Sequence, residues 1–469
     1  VQTDKLSNLE KSLLEHYEFK NDSEIEEFTK DDYILIWHMP PIMMSFADER
    51  FKASNNCTPN MKKLLKGAKH NVCFTVWETD QVPLEWVRSL NYYKPDMILV
   101  PCEWNKQVFA NDTGVHVETV PHVIERKSTS QTPIKIPYNL DEKFVVFSMS
   151  QWSKRKGFDK LIQAFVSEFG DNEDALLILK AYGGPEGNNE TIQNEIKNTR
   201  NTILLPGEMI TRPITNNIIF IPGFLSNENI SWLYDKSDVF SLLSRGEGFG
   251  LPISEALMYE RPVIVPNKGG HLDYINPDAC FYVDGMMDTC VYPLPPYSVG
   301  GKWFESNVDS ARKQLRKAYK MWKNSPKKLQ EMGQAGRSFI EERGYKPYDI
   351  GKLYYEKLSM LEDETKELSP IKQKRIKLKK KLAVATSMEE KVDLLKDSFK
   401  GETCYLVTCG PSLNDVHPDE LREKLDGKLV FSVKQAHDRF PNISDFHFFN
   451  CANIPRQIGA PLVEHYQYD

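Results

Sequence analysis

Ser244-Arg-Gly-Glu-Gly-Phe-Gly-Leu-Pro-Ile-Ser-Glu-Ala-Leu-Met-Tyr-Glu-Arg-Pro-Val-Ile-Val265 is the stretch on which the reading of the fold turns. It joins a glycine-rich turn (Gly246, Gly248, Gly250) to a helix and then to a short apolar strand, Val263–Val265. Pro252 suits the first helical position because that position needs no backbone donor, so the helix is expected to begin where the glycines end. Free N–H groups and the dipole at such an end attract an anion, and glycines let a diphosphate come close to the backbone. Two carboxylates, Glu247 and Glu255, are separated by seven residues. Glu255 is expected in the first helical turn, a favourable place for a carboxylate, where it accepts hydrogen bonds from a ribose diol. Glu247, in the loop, then faces whatever the diphosphate carries.

Upstream of this stretch the chain alternates strand and helix patterns, which predicts parallel, doubly wound sheets. A first series contains Tyr33–Trp37, Asn71–Trp77, Asp96–Pro101 and Val115–Val120 as strands, with helices through Leu84–Leu90 and Val108. Ligands in such sheets gather at the carboxyl ends of strands. That places Trp37–His38, Glu78–Asp80, Glu103–Trp104 and His122 along one edge. A linker, Lys127-Ser-Thr-Ser-Gln-Thr-Pro133, leads to a second series: strand Phe144–Met149, the basic turn Ser153-Lys-Arg-Lys-Gly157, a helix through Leu161–Phe165, then strands Ala175–Lys180, Ile218–Ile221 and Val239–Ser244. The expected organisation is a first Rossmann-like domain over 1–135, opening with a peripheral helix in 1–30, and a second over 136–345. A return helix and charged helical linker follow over 346–400, with the start of another nucleotide-binding α/β domain over 401–469.

Length and composition agree with several domains. At 469 residues the chain exceeds one core. Its 60 basic and 66 acidic side chains give no general attraction to nucleic acid. The nearly all-basic run Lys372–Lys381 reads first as a solvated helix, with an anionic-lipid or nucleic-acid patch as the other reading. Eight scattered cysteines without C-x-x-C spacing read as reduced thiols in a cytoplasmic protein. No apolar run reaches the length of a membrane span and no signal peptide opens the sequence. Val1 at the start and Asp469 shortly after the last pattern begins read as the ends of a fragment.

Residues from about 33 to 361 resemble the retaining glycosyltransferases of family 4, whose GT-B fold sets two Rossmann-like domains across a cleft. The resemblance rests on the Glu247-x7-Glu255 stretch, on Arg155-Lys-Gly-Phe-Asp159 after a strand, and on Pro-Gly223-Phe224-Leu225. Also similar are Trp77-Glu-Thr-Asp80 with Pro83 and Trp86, Pro101-Cys-Glu-Trp-Asn105, and Pro121-His122. It implies a transferase that takes a sugar from a nucleoside-diphosphate sugar to a glycan, lipid or protein acceptor. By the same resemblance Lys156 binds the donor diphosphate with backbone N–H groups around Phe249, Gly250 and Leu251, and the base lies against Gly223, Phe224 and Leu225. Glu255 holds the ribose, and Glu247, His122 and Asp80 stand nearest the chemistry. Family members often carry a Gly-Arg pair before the basic turn; Met149-Ser150 stand there here, so Lys156 shares the phosphate charge with Arg155 or Lys154. No metal or other cofactor is implied, and peripheral membrane association fits the lipid-acceptor members.

The C-terminal Cys409-Gly-Pro-Ser-Leu413, with Val433-Lys-Gln-Ala436, resembles the start of family 42 sialyltransferases and their relatives, which implies a second nucleotide-sugar site at Gly410, Ser412 and Gln435. Taken singly, each of these residues has a structural reading: a loop acid, a helix cap, a surface histidine, a solvated lysine. The ordered set favours binding. Two other functions stay open at this point: a nucleotide-sugar epimerase on the same fold, for which His271 and Asp273 would serve, and a non-catalytic module of a larger protein.

Overall fold

The computed structural model describes residues 32–45, 64–65, 67–170, 174–183, 188–201, 217–290, 297, 301–367, 378, 393–396, 398–401, 403–407, 421, 424–425, 428–433 and 446–448. The chain divides into two compact units, Val1–Tyr355 and Glu356–Asp469.

The first unit holds two sheets. In the first sheet, β1 (Ile34–His38), β2 (His70–Phe74), β3 (Met97–Val100) and β4 (Val117–Thr119) lie in sequential order and all run parallel. Helices α1 (Ile42–Ser45), α2 (Leu84–Tyr93) and α3 (Glu103–Thr113) connect them. Met97-Ile-Leu-Val100 is buried along its whole length, as a parallel strand covered on both faces must be. Trp37, Trp77, Trp86, Leu90 and Phe109 form the core beside it. The second strand was expected to run to Trp77 but stops at Phe74. Beyond it a side chain substitutes for a strand neighbour: Asn105 of α3 accepts from Trp77 N and donates to Trp77 O, both at 2.8 Å.

The second sheet has the order β10-β9-β8-β5-β6-β7, all parallel. Its strands are β5 (Phe144–Gln151), β6 (Ala175–Tyr182), β7 (Ile218–Ile221), β8 (Val239–Ser241), β9 (Val263–Pro266) and β10 (Cys280–Val283). Helices α4 (Phe158–Phe169), α5 (Asn189–Asn201), α6 (Asn227–Lys236) and α7 (Leu251–Met258) alternate with them. Numbered within the half, the order is 3-2-1-4-5-6 reversed, with the change of direction between β5 and β8. Phe144, Phe158, Phe165 and Ile162 pack between β5, α4 and the later helices, and each such side chain contributes on the order of 2 kcal/mol through burial.

After β10 comes an antiparallel hairpin that the sequence pattern does not announce, β11 (Gly285–Thr289) with β12 (Lys302–Ser306). Helices α8 (Val308–Asn324), α9 (Pro326–Glu342) and α10 (Pro347–Glu367) follow. The expected return helix does reach the first sheet, since the Tyr354 ring lies 6.0 Å from Phe74.

In the second unit β13 (Cys404–Val407), β14 (Leu429–Val433) and β15 (Phe446–Phe448) form a parallel three-stranded sheet. The turn residues Gly410 and Ser412, together with Gln435, lie outside the described residues, as do the expected N-terminal helix and most of the lysine run. Among the described residues no helix is long and apolar enough to cross a membrane.

Candidate active site

Neighbouring strands β5 and β8 deliver their following loops to one place, the reversal point of the sheet where open α/β folds hold ligands. After β5 the chain makes a short helical turn, Lys154–Lys156, closed by Gly157 at φ +66°. A Cβ on Gly157 would stand 1.9 Å from Leu243 O, so glycine is required by close approach as well as by conformation. Backbone bonds then lock the two loops together: Arg245 N donates to Arg155 O at 2.6 Å and Ser244 Oγ to the same oxygen at 3.1 Å.

Two cations meet one carboxylate at this junction. Lys156 Nζ lies 2.5 Å and Arg155 Nη1 3.7 Å from Glu247 Oε1, and Arg155 Nη1 also donates to Gly246 O at 2.6 Å. Lys154 turns the other way, half exposed, to Asp159 at 2.9 Å. Arg155, then, is the second cation beside Lys156. Burial pushes the Glu247 carboxyl up, but the charges of Lys156 and Arg155 outweigh it and hold Glu247 below its ordinary range. Burial and the adjacent Arg155 lower Lys156 in spite of Glu247. Lys156 is therefore the group here whose charge would gain from another anion. Burial also opposes the charge on Arg155, which Glu78, Tyr297 and Glu247 nonetheless hold above its usual value.

A second arginine fixes the loop. The guanidinium of Arg245, 2% exposed, takes both oxygens of Asp159 at 2.9 Å, reaches Glu305 through Nε, and donates to Lys154 O at 2.5 Å. This fork overcomes the effect of burial and draws the Asp159 carboxyl down to about 2. Asp159, quoted above only as part of a motif, is an anchor of the loop.

Helix α7 starts one residue earlier than expected. Leu251 is its first residue and Pro252 its second, with Gly250 before them at φ +86°. Glu255 is consequently the fifth helical residue and lies in the second turn, a correction to the expected first-turn position. It is nearly buried, with Oε1 2.8 Å from Lys127 Nζ and Oε2 accepting from the Tyr234 hydroxyl at 3.1 Å. Burial raises its pKa, and Lys127 and Tyr234 pull part of the way back. The fully buried Tyr274 donates its hydroxyl to Phe249 O and Gly250 O at 2.9 and 2.8 Å. Because a trans peptide sets N–H opposite C=O, the N–H groups of Gly250 and Leu251 point away from Tyr274.

The other two glycines serve a different end from the one expected. A Cβ at Gly246 would lie 2.0 Å from Glu78 O, and one at Gly248 2.0 Å from Val76 Cγ2 and 2.9 Å from Trp77 O. Their smallness lets the loop press on the segment after β2, so the approach they permit is that of the first half rather than of a diphosphate. A Cβ at Gly270, of the second glycine pair, would lie 2.1 Å from Gly248 O and 2.6 Å from Cys102 Sγ.

On the first-half side, Glu78 is 3.6 Å from Arg155 Nη2 and accepts from Tyr297 OH at 3.3 Å, while the Tyr297 ring stacks on Trp77 at 5.2 Å. Asp80 clasps the start of β12: its Oδ1 accepts from Lys302 N at 2.5 Å and its N donates to Lys302 O at 3.0 Å. The carboxylate of Asp80 is thus directed to backbone and away from the Glu247 cluster. His122 stands at the junction, its ring 5.1 Å from Phe249, 5.6 Å from Phe74 and 6.5 Å from the parallel ring of His38. Burial and the neighbouring His38 lower it to about 4. Of the residues expected nearest the chemistry, Glu247 and His122 approach the glycine loop and Asp80 joins the hairpin. His271 is buried with Nε2 2.8 Å from Pro266 O, and Asp273 accepts from Glu103 N at 2.7 Å.

After β7, Gly223 at φ +75° opens a turn in which the exposed ring of Phe224 stacks on Tyr182 at 5.4 Å, with Leu225 beside it. Lys180 donates to Gly223 O at 2.5 Å from beneath. Lys127, Lys180, Tyr234, Tyr274 and Tyr297 were not singled out from the sequence. Each belongs to a stretch whose local pattern is ordinary, and only the packed structure brings it to the site.

Residues 130–287 match the family model of the glycosyl transferases group 1, a span holding β5 to β10 and all of Arg155, Lys156, Glu247 and Glu255. Mannosylfructose-phosphate synthase of Agrobacterium fabrum is 24% identical over 190 residues, 38% of this chain and 39% of that protein. Among solved structures, HepE of Anabaena in complex with UDP and glucose superposes with a TM-score of 0.50 at 13% identity, over 76% of this chain and 90% of that one. The pneumococcal O-GlcNAc transferase GtfA, in complex with UDP and GlcNAc, has a TM-score of 0.42 at 16% identity over 64% of this chain and 54% of that one. The chain therefore spans about two fifths of the synthase and about half of the pneumococcal transferase. The architecture is mixed α/β with parallel sheets, as in GT-B structures, and residues 130–287 are similar to the glycosyl transferases group 1.

Proposed function

We propose that the protein is a retaining glycosyltransferase that moves a sugar from a nucleoside-diphosphate sugar to a hydroxyl group of a glycan, lipid or protein. One observation supports this reading: the buried pair Arg155 and Lys156 meets Glu247 at the point where β5 and β8 part, in the loop that leads to a helix start whose Phe249 and Gly250 carbonyls are held by Tyr274. In the transfer the bond from the sugar C1 to the phosphate oxygen breaks and the diphosphate leaves with negative charge. Preorganised cations and amide dipoles stabilise charge that grows in that transition state. The acceptor oxygen bonds to C1 from the face the phosphate leaves, and its proton passes to a departing phosphate oxygen, so the anomeric configuration is kept. No metal is needed in this scheme.

Glu255 takes the ribose hydroxyls and the turn of Gly223, Phe224 and Leu225 takes the base. Glu247 exchanges its hold on Lys156 for the sugar or the adjoining phosphate once the lysine has an anionic partner. His122, neutral beside Phe249, faces the transferred sugar as a hydrogen-bonding group. Asp80 keeps the hairpin beside Glu78 and so acts on the acceptor side through position. UDP-sugars are the first donors to test, given the UDP bound to HepE. We place the enzyme in the cytoplasm, with the basic run Lys372–Lys381 available for peripheral contact with anionic lipid.

Calorimetric titration with nucleoside diphosphates tests the reading directly. Binding is expected, and Glu255→Ala should weaken it about ten-fold or more, for the loss of two hydrogen bonds to a charged group. Absence of heat with every nucleoside diphosphate would overturn it, and product in the inverted configuration would overturn the retaining course.

A further inference from the structure

Lys127 belongs to the linker between the two halves, yet its ammonium lies 2.8 Å from a carboxylate buried in α7. We propose that Lys127 is a specificity-determining residue of the donor site: it keeps Glu255 an oriented, ionised acceptor, and so lets the enzyme select ribonucleotide over deoxyribonucleotide donors. The inference rests on the donor reading above and assigns to the linker a part in that same site.

The geometry is that of a held carboxylate with unused capacity. Lys127 takes Oε1 and the Tyr234 hydroxyl takes Oε2 at 3.1 Å, one partner from each side. A carboxylate oxygen has two acceptor positions, so each keeps one for a further donor. Two remaining positions on one planar group suit two neighbouring hydroxyls, such as the 2′ and 3′ hydroxyls of a ribose. A deoxyribose supplies only one of them and leaves a buried acceptor without a partner, which is the condition under which a polar site discriminates most strongly.

Lys127 does not reach Glu255 by chance of an extended side chain, because the linker is fixed on both sides of it. Arg126 Nε donates to Met258 O at 2.9 Å, with its guanidinium 5.0 Å over the Tyr259 ring. Ser128 N donates to Tyr259 OH at 3.2 Å, and that hydroxyl donates to Ser128 O at 3.0 Å. Further along, Thr132 N donates to Glu228 O at 3.2 Å. The linker is thereby tied to α6 and α7, and its lysine, 38% exposed, approaches the carboxylate from the solvent side.

Charge explains why a lysine is wanted. The titratable groups facing Glu255 are Lys127 from the linker, Tyr234 from α6 and Tyr274 after β9, with Tyr259 at the end of α7 stacked behind Tyr234 at 5.1 Å. Burial raises the hydroxyls of Tyr234 and Tyr274, so neither brings charge to Glu255, and Lys127 supplies the positive charge. Burial already raises the Glu255 carboxyl with Lys127 present. Remove that charge and protonation moves toward neutrality. A protonated carboxyl has a donor where one ribose hydroxyl needs an acceptor.

The test is calorimetry between pH 5.5 and 8.5. The probes are the tightest-binding diphosphate of uridine, guanosine, adenosine and cytidine, and its 2′-deoxy form. The wild-type protein should bind the ribonucleotide about ten-fold more tightly. Lys127→Met should reduce that ratio to about three-fold or less and move the acid limb of ribonucleotide affinity up by about one pH unit. Lys127→Arg should restore both, and Tyr234→Phe, which keeps the charge but loses an orienting bond, should reduce the ratio while moving the limb less than Lys127→Met does. A Lys127→Met protein that retains the wild-type ratio and pH profile overturns the inference while leaving the donor reading standing. A wild-type protein that binds no nucleoside diphosphate overturns both.

Discussion

The two sheets of the first unit are built alike and end differently. In the second sheet the strand order reverses between β5 and β8, so the loops that follow them start side by side at the reversal point and are joined by backbone hydrogen bonds. Arg155, Lys156, Glu247 and the Arg245–Asp159 fork are gathered there, nearly all of them buried. In the first sheet β1 to β4 follow in order, and the corresponding edge carries His38, Phe74 and His122, rings in mutual contact, with Trp77 stacked on Tyr297. One edge holds compensated charge and the other holds uncharged aromatic surface. On the function proposed above the leaving group belongs to the first edge and the acceptor to the second, and the loop glycines 246 and 248 press one against the other.

Removing a cation from the charged edge should have the largest effect. Lys156→Met leaves Glu247 buried with Arg155, 3.7 Å away, as its nearest remaining cation. Breaking a buried pair by removing one partner costs about 3–5 kcal/mol of stability. Loss of the phosphate contact should lower kcat/KM about 100-fold or more. Denaturant unfolding and steady-state kinetics read the two separately. A variant that is destabilised but turns over normally would show the edge to be an ionic support of the fold and nothing more.

That edge was partly legible in the sequence, and the reasons are physical. Strands such as Met97–Val100 and Phe144–Met149 are continuous apolar runs because both faces are covered, and such runs stand out. Glu247, Lys156 and Gly250 stand out because glycine-rich turns and clustered charge are locally unusual. The hairpin β11–β12 was missed because β11, Gly285-Met-Met-Asp-Thr289, shows no alternation. It is held from outside, by buried Trp303 and Phe304 and by Phe304 N donating to Arg245 O at 2.7 Å. The turn of Glu255 was misjudged because Leu251, an ordinary residue, starts the helix ahead of Pro252. The purpose of Gly246 and Gly248 was misjudged because sequence shows that something comes close but not what. Lys127 reads as linker because its partner, Glu255, is 128 positions further along the chain.

The uncharged edge should be the acid-sensitive one. His122 titrates near 4 in the folded protein and near 6.5 in an unfolded chain. Below pH 6.5 the unfolded chain takes up the proton first, so stability present above that pH is lost progressively as pH falls toward 4. At pH 5 the loss from this group is on the order of 1–2 kcal/mol. Asp159 on the charged edge works lower, its contribution being lost only as pH falls from its ordinary 3.8 toward about 2. Urea unfolding of wild type and His122→Asn at pH 7 and pH 5 tests this. The variant should begin less stable but lose less between the two pH values, and equal losses would place the acid sensitivity elsewhere.

The smallest effect expected also separates the edge from its surroundings. Lys154 adjoins Arg155 in sequence, carries the same charge as Lys156, and makes a 2.9 Å ion pair with Asp159. Yet its side chain is 52% exposed, and Asp159 is already held through both oxygens by Arg245. An exposed pair of this kind contributes up to about 1 kcal/mol, and screening by salt reduces it further. Lys154→Ala should therefore shift stability by about 0.5 kcal/mol or less and nucleoside diphosphate affinity by less than about three-fold. The comparison with Lys156→Met is informative because both variants remove one positive charge from the same short turn. If long-range attraction to phosphate dominated, the two would weaken binding alike and added salt would erase both effects. If the buried geometry dominates, only Lys156→Met is damaging, and its effect persists in salt.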